Sequence, residues 1–111
     1  VASLYTPASP AVLRLIRMVI DTGRQTGKPV SICGEMSSDP LYIILLIGLG
    51  IEEISVIYQS IPEIKKIIRS ITMNKAERLV DIVYSVQNIK DVNKFLRKEL
   101  RGILPASPSL A

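Results

Sequence analysis

Pro29-Val30-Ser31-Ile32-Cys33-Gly34-Glu35-Met36-Ser37-Ser38-Asp39-Pro40 is the stretch that decides how this chain folds. Its apolar and β-branched residues predict a short buried strand over residues 30–33. Gly34 predicts a sharp turn. Asp39-Pro40 predicts a helix cap with proline at the first helical position. The single cysteine of the chain stands where the strand stops. In parallel α/β enzymes the carboxyl ends of strands face the active site, and the amino ends mostly serve packing. A thiol at that point is placed for chemistry.

Upstream, Ser9-Pro10 is another cap followed by a proline. Val12, Leu13, Leu15, Ile16, Val19 and Ile20 recur at helical spacing, with Arg14, Arg17, Asp21 and Arg24 largely on the other side. Gly27 and Pro29 end that helix. Residues 1–8 read as an extended lead-in.

Downstream, residues 41–47 predict a helix that is apolar nearly all round. Such a helix must be buried, against the rest of the protein or between subunits. Gly48 and Gly50 close it, and a second strand is expected over residues 53–57. Ser60-Ile61-Pro62-Glu63 matches a capping box, opening a helix that carries Ile64, Ile67, Ile68 and Ile71. Asn74 and Glu77 match the start of another, with Leu79, Val80, Val83 and Val86 as its stripe. A last helix covers residues 90–100, and residues 105–111 read as a loose tail.

Strands alternating with helices define two units of a parallel α/β arrangement. A parallel sheet needs cover on both faces, and a two-stranded sheet is marginal in water. The pattern is thus incomplete as an α/β fold. It calls for further strands, or for a second copy to cover the strand edges. The chain reads as a piece of something longer.

Composition narrows the function. At 111 residues this is at most one small domain. Lys and Arg number 14, Asp and Glu 10, and the signs are interspersed. Four tyrosines, one phenylalanine and no tryptophan provide no stacking platform between the basic residues, so nucleic acid is not the expected partner. A basic helical nucleic-acid binder would rest only on the charge of +4 and a patch at Lys65, Lys66 and Arg69, which reads as a solvated face. The longest apolar run falls short of the ~20 residues of a membrane helix. One cysteine permits no internal disulfide and suits a reducing compartment. No histidine is present, which excludes a histidine base, phosphohistidine or metal ligand within this chain.

Cys33 has two readings: a small buried hydrophobe, or a functional thiol. A thiol of ordinary pKa, about 8.5, is mostly protonated at neutral pH and serves as a general acid without tuning. A nucleophile would need a nearby cation. Gly34 lets the backbone approach a ligand, or simply turns the chain. Glu35 and Asp39 are weak candidates for metal ligation, and Asp39 reads more simply as a helix cap. Gly48-Leu49-Gly50 is no phosphate loop, because it precedes a strand and lacks the Lys-Ser/Thr signature.

Several separate blocks resemble the family of phosphoenolpyruvate–protein phosphotransferases, enzyme I of the bacterial sugar phosphotransferase system. They are Leu4-Tyr5-Thr6-Pro7-Ala8-Ser9-Pro10-Ala11-Val12-Leu13-Arg14-Leu15-Ile16, Gly27-Lys28, Ile32-Cys33-Gly34-Glu35-Met36 and Asp39-Pro40. The likeness continues through Leu46-Ile47-Gly48-Leu49-Gly50, Glu53-Ile54-Ser55, and Ser60-Ile61-Pro62 with Lys65-Lys66-Ile67-Ile68-Arg69, ending near Leu100. Pyruvate phosphate dikinase and phosphoenolpyruvate synthase share the Cys-Gly core but usually differ in the residues after it.

The resemblance implies a partial (β/α)8 barrel in an α/β fold. Residues 1–104 would be the C-terminal part of its phosphoenolpyruvate-binding domain, supplying the last two strand–helix units and the C-terminal helices. It implies that a phosphoryl group passes from phosphoenolpyruvate to a histidine on a separate domain, and then to a histidine-containing phosphocarrier protein. Cys33 is implied as the donor that protonates the enolate to pyruvate, with Gly34 against the substrate. Mg2+ is implied, bound by residues outside this chain, as are a homodimer and a cytoplasmic location. The isolated segment is expected to be inactive. The family usually has Ala-Gly where this chain has Ser37-Ser38, which leaves the shape of that turn to the structure. A rival reading, an assembly module without catalysis, rests on the 48% hydrophobic content and on the apolar helix over residues 41–47.

Overall fold

The computed structural model describes residues 8–104; the expected lead-in before Ala8 and the tail after Leu104 lie outside the described residues. Helix α1 (Pro10–Thr26) begins as its sequence predicts, with the Val12 N–H donating to Ser9 Oγ at 3.2 Å and proline in the first turn. It ends at Gly27. Two parallel strands follow in the same sheet, β1 (Ser31–Ile32) and β2 (Glu53–Ile54), with Ser31 opposite Glu53 and Ile32 opposite Ile54. Both are shorter than the apolar runs predict. Each has one partner strand among the described residues, so the flanking residues lack the second ladder that would extend them.

Between the strands lie the single turn α2 (Glu35–Ser38) and helix α3 (Pro40–Leu49). Asp39 caps α3, its Oδ1 accepting from the Leu41 N–H at 2.9 Å. Every residue of α3 except Ile47 is buried. The burial is supplied within the chain: α5 (Met73–Ser85) packs on α3 most extensively, joined by α1, α2, α4 (Ile61–Ser70) and α6 (Ile89–Ile103). The apolar helix is therefore the centre of the core and not an assembly surface, which removes the chief support for the assembly-module reading.

Gly48 does not end α3 but lies inside it. A Cβ there would stand 2.7 Å from both the Ala76 carbonyl carbon and Val80 Cγ2, so the hydrogen side chain permits the close contact with α5. The helix ends at Gly50, whose φ is 95°. Arg24 of α1 donates from Nη2 to the Gly50 carbonyl at 2.9 Å, a cation satisfying the carbonyl end of a helix.

The remaining helices are α4 (Ile61–Ser70), α5 (Met73–Ser85) and α6 (Ile89–Ile103). Two cap readings need correction. Ser60 sits in a 3-10 turn with helical backbone angles and makes no side-chain cap bond, so the capping box does not form. Helix α5 is capped by Thr72, whose Oγ1 accepts from Lys75 N–H at 3.2 Å, and Asn74 lies inside it. Helix α6 lays Val92, Leu96 and Leu100 on the core, and Tyr42 of α3 donates to Asn93 Oδ1 at 3.2 Å. Arg14 of α1 lies 4.9 Å above the Tyr84 ring of α5, within cation–π range.

The contrast between α3 and the outer side of α1 is testable. Leu45 is fully buried, whereas Leu15 is 62% exposed. Leu45→Ala is expected to destabilise the chain by about 2–5 kcal/mol. Leu15→Ala should stay within about 0.5 kcal/mol. Urea denaturation followed by far-UV circular dichroism measures both, and equal losses would contradict this core.

Candidate functional site

Cys33 is exposed and follows directly on the last residue of β1. Within the described residues it is not part of the buried core. Ile32 and Ile54 pack against the helical core. By the alternation of a strand, Ser31, Cys33, Glu53 and Ser55 lie on the opposite, solvent-facing side, where all are exposed. Because the strands are parallel, Cys33 and Ser55 meet at one carboxyl end of the sheet.

Three features hold the turn that carries the thiol. The Ser55 N–H donates to the Ile32 carbonyl at 2.8 Å, continuing the ladder up to the residue before Cys33. Gly34 adopts φ 98° and ψ −165°, a region essentially restricted to glycine. Nothing lies within 4 Å of a Cβ built there, so the backbone and not the available space demands glycine. Ser37 then points back into the turn. Its Oγ lies 2.8 Å from the Gly34 carbonyl and 2.8 Å from the Ser55 carbonyl. Among the described residues it is the buried polar side chain, with no exposed surface.

Glu35 and Asp39 are both exposed, and Asp39 is engaged as the cap of α3. Among the described residues no group of three or more His, Cys, Asp or Glu side chains could hold a metal ion. The residues present here do not fit a Mg2+ site. Lys65, Lys66 and Arg69 are exposed on α4, as a solvated face would be. Among the described residues no helix is long and apolar enough to cross a membrane. The sequence singles out Cys33 and Gly34 but gives no sign of the bond between Ser37 and Ser55, whose partners lie 18 positions apart.

A parallel strand pair flanked by helices, with a thiol and a glycine turn at its carboxyl end, defines the class: a segment of an α/β fold. Residues 1–73 match the family described as PEP-utilising enzyme, PEP-binding domain, and the chain belongs to that family. The phosphoenolpyruvate-protein phosphotransferase of Buchnera aphidicola subsp. Schizaphis graminum is 38% identical over 98 residues, 88% of this chain and 17% of the relative. That of Geobacillus stearothermophilus gives the same identity and coverage. The Bacillus subtilis protein is 35% identical over 101 residues, 91% of this chain and 18% of the relative. The chain thus spans about a sixth of the length of the curated relatives it matches.

Two outcomes follow from this geometry. Cys33 should react stoichiometrically with a small disulfide thiol reagent without denaturant, whereas a packed thiol would react only after unfolding. Gly34→Ala should cost about 1–3 kcal/mol of stability through backbone strain alone, read by chemical denaturation. An unchanged midpoint would show that the turn relaxes freely.

Proposed function

We propose that this chain is the part of a phosphoenolpyruvate–protein phosphotransferase that brings the proton donor to the reaction. The observation that carries the reading is the place of Cys33. The thiol is exposed at the carboxyl end of β1, on the face turned away from the helices. In a barrel that face is the interior, and that end carries the active site.

The phosphoryl group leaves the enol oxygen of phosphoenolpyruvate for a histidine on another domain, and the P–O bond breaks. The electron pair remains on the enolate. Carbon C3 of the enolate takes the proton from Cys33 Sγ, so a C–H bond forms and an S–H bond breaks, giving the methyl group of pyruvate. The thiolate recovers its proton from solvent. The phosphohistidine then serves a histidine-containing phosphocarrier protein. Mg2+ belongs to this reading as an ion held by residues outside this chain. Gly34 brings a bare backbone to the substrate side of the turn.

The partial-barrel reading has structural support at both edges of the sheet. Beside Val30, which precedes β1, helix α1 exposes Met18 and Val19. Beside β2 lies an apolar groove lined by Ile47, Ile54, Val56, Ile64 and Ile68. Neighbouring strand–helix units of a (β/α)8 barrel would cover both. A homodimer and a cytoplasmic location complete the proposal, with α3 excluded as the dimer interface by its burial within the chain.

In the full-length protein, Cys33→Ala should lower pyruvate formation about a hundredfold or more, the lower range for a lost general acid. Activity within a few-fold of the parent would remove Cys33 from the mechanism.

A further inference from the structure

We propose that Glu53 supplies the proton that restores Cys33 after each turnover, an inference that rests on the proton-donor reading above. Strand parity places four side chains on the face turned away from the helices: Ser31 and Cys33 along β1, Glu53 and Ser55 along β2. Ser31 stands opposite Glu53 in the parallel register. Glu53 therefore lies one step below Cys33, toward the amino end of the pair. Two residues along a strand span about 6.6 Å and the next strand is about 4.8 Å away, so the Cα atoms of Glu53 and Cys33 are roughly 8 Å apart. A glutamate side chain covers that gap with one bridging water, a route open to proton transfer. Glu53 also stands in a block, Glu53-Ile54-Ser55, over which the chain resembles the family.

Glu53 is exposed, and it forms no ion pair with a described residue. Its neighbour Glu52 is the one that meets Arg24, at 3.8 Å. The barrel reading turns the face of Glu53 inward, where a carboxylate left without a partner is costly. A carboxylate kept there needs a task, and passing protons fits its place. Protonation of C3 leaves Cys33 as a thiolate, and the next turnover needs the S–H bond restored. Glu53 takes a proton from water on one carboxylate oxygen. That O–H bond then breaks as the S–H bond forms, and the carboxylate is regained. The Ser31 and Ser55 hydroxyls can bridge the path, since each both gives and takes a hydrogen bond, but Glu53 can hold the proton as an acid. Glu35 is the other carboxylate near the thiol in sequence, but it lies in α2, past the carboxyl end of β1. That end is covered once substrate and the histidine-bearing domain are in place. Glu53 lies on the opposite side of the thiol, so supply through it does not wait for the site to open.

The test uses the full-length protein and separates the first turnover from the later ones. Without phosphocarrier protein, each site makes a single pyruvate from the proton already on Cys33. With saturating phosphocarrier protein, every further pyruvate needs a new proton. Glu53→Gln keeps the size of the side chain and removes the ionisable oxygen. Its first turnover is expected to match the parent. Its steady kcat is expected to fall about tenfold, less than the ~100-fold loss expected of Cys33→Ala, and added imidazole buffer should restore it. The size of the first burst counts working sites, so misfolded protein does not imitate the result. If Glu53→Gln fails to fold, Glu53→Asp, with its shorter carboxylate, is read the same way: first turnover unchanged, steady kcat lowered and restored by buffer. An unchanged steady kcat overturns the proposal. So does an equal fall in both phases without rescue by buffer, the mark of a structural ion pair with a strand outside this chain. Glu35→Gln is the neighbouring control: a fall of steady kcat alone in that variant, and not in Glu53→Gln, overturns the role of Glu53. If Cys33→Ala leaves pyruvate formation intact, the proton-donor reading fails and this inference fails with it.

Discussion

Helix α3 is apolar on every side, and the rest of the structure depends on removing it from water. A helix with one apolar stripe is satisfied by one neighbour, but α3 requires a shell. Helices α1, α2, α4, α5 and α6 provide it, and each contributes a single stripe of its own. The closest approach, between α3 and α5, is made at Gly48, where a methyl group would collide with backbone and with Val80. The strands on either side of α3 are pinned by this packing: Ile32 and Ile54 turn toward the core, and that choice turns Cys33 outward.

The site is thus a consequence of the core and of the parity of a strand. Once Ile32 is committed inward, the next residue must face the other way. The parallel register then brings Ser55 beside it. A thiol in this position is reachable by solvent, and its two neighbours in the chain are held by hydrogen bonds on their carbonyls. Rigid support with a free reactive atom is what a proton donor to carbon requires.

Part of the apolar surface that remains uncovered lies near the sheet. Met18 and Val19 line a groove with Val30, the residue before β1, and the isoleucine-lined groove borders β2. Open strand edges with apolar flanks are the features that further strands of a sheet would cover. This agrees with membership of a PEP-binding domain family and with a length about a sixth of the matching relatives.

By itself the sequence determined the elements whose signals are local. Ser9 and Asp39 cap their helices as their side chains dictate, Gly34 marks its turn, and an unbroken apolar run marks the helix that must be buried. Cys33 at a strand end was legible because strand, glycine and cap occur consecutively. Tertiary structure decided whatever depended on residues far apart in the chain. Ser60 and Glu63 have the spacing of a capping box, yet a preceding 3-10 turn puts Ser60 in helical geometry and removes its capping role. Gly48 has the composition of a helix end, yet α5 requires it as a contact point. The burial of α3 within one chain, and not between two, needed five helices to be placed around it. Ser37 reads as an ordinary polar residue until the fold brings the Ser55 carbonyl within 2.8 Å. No local pattern encodes that distance, because it is set by the packing of α3 between the strands.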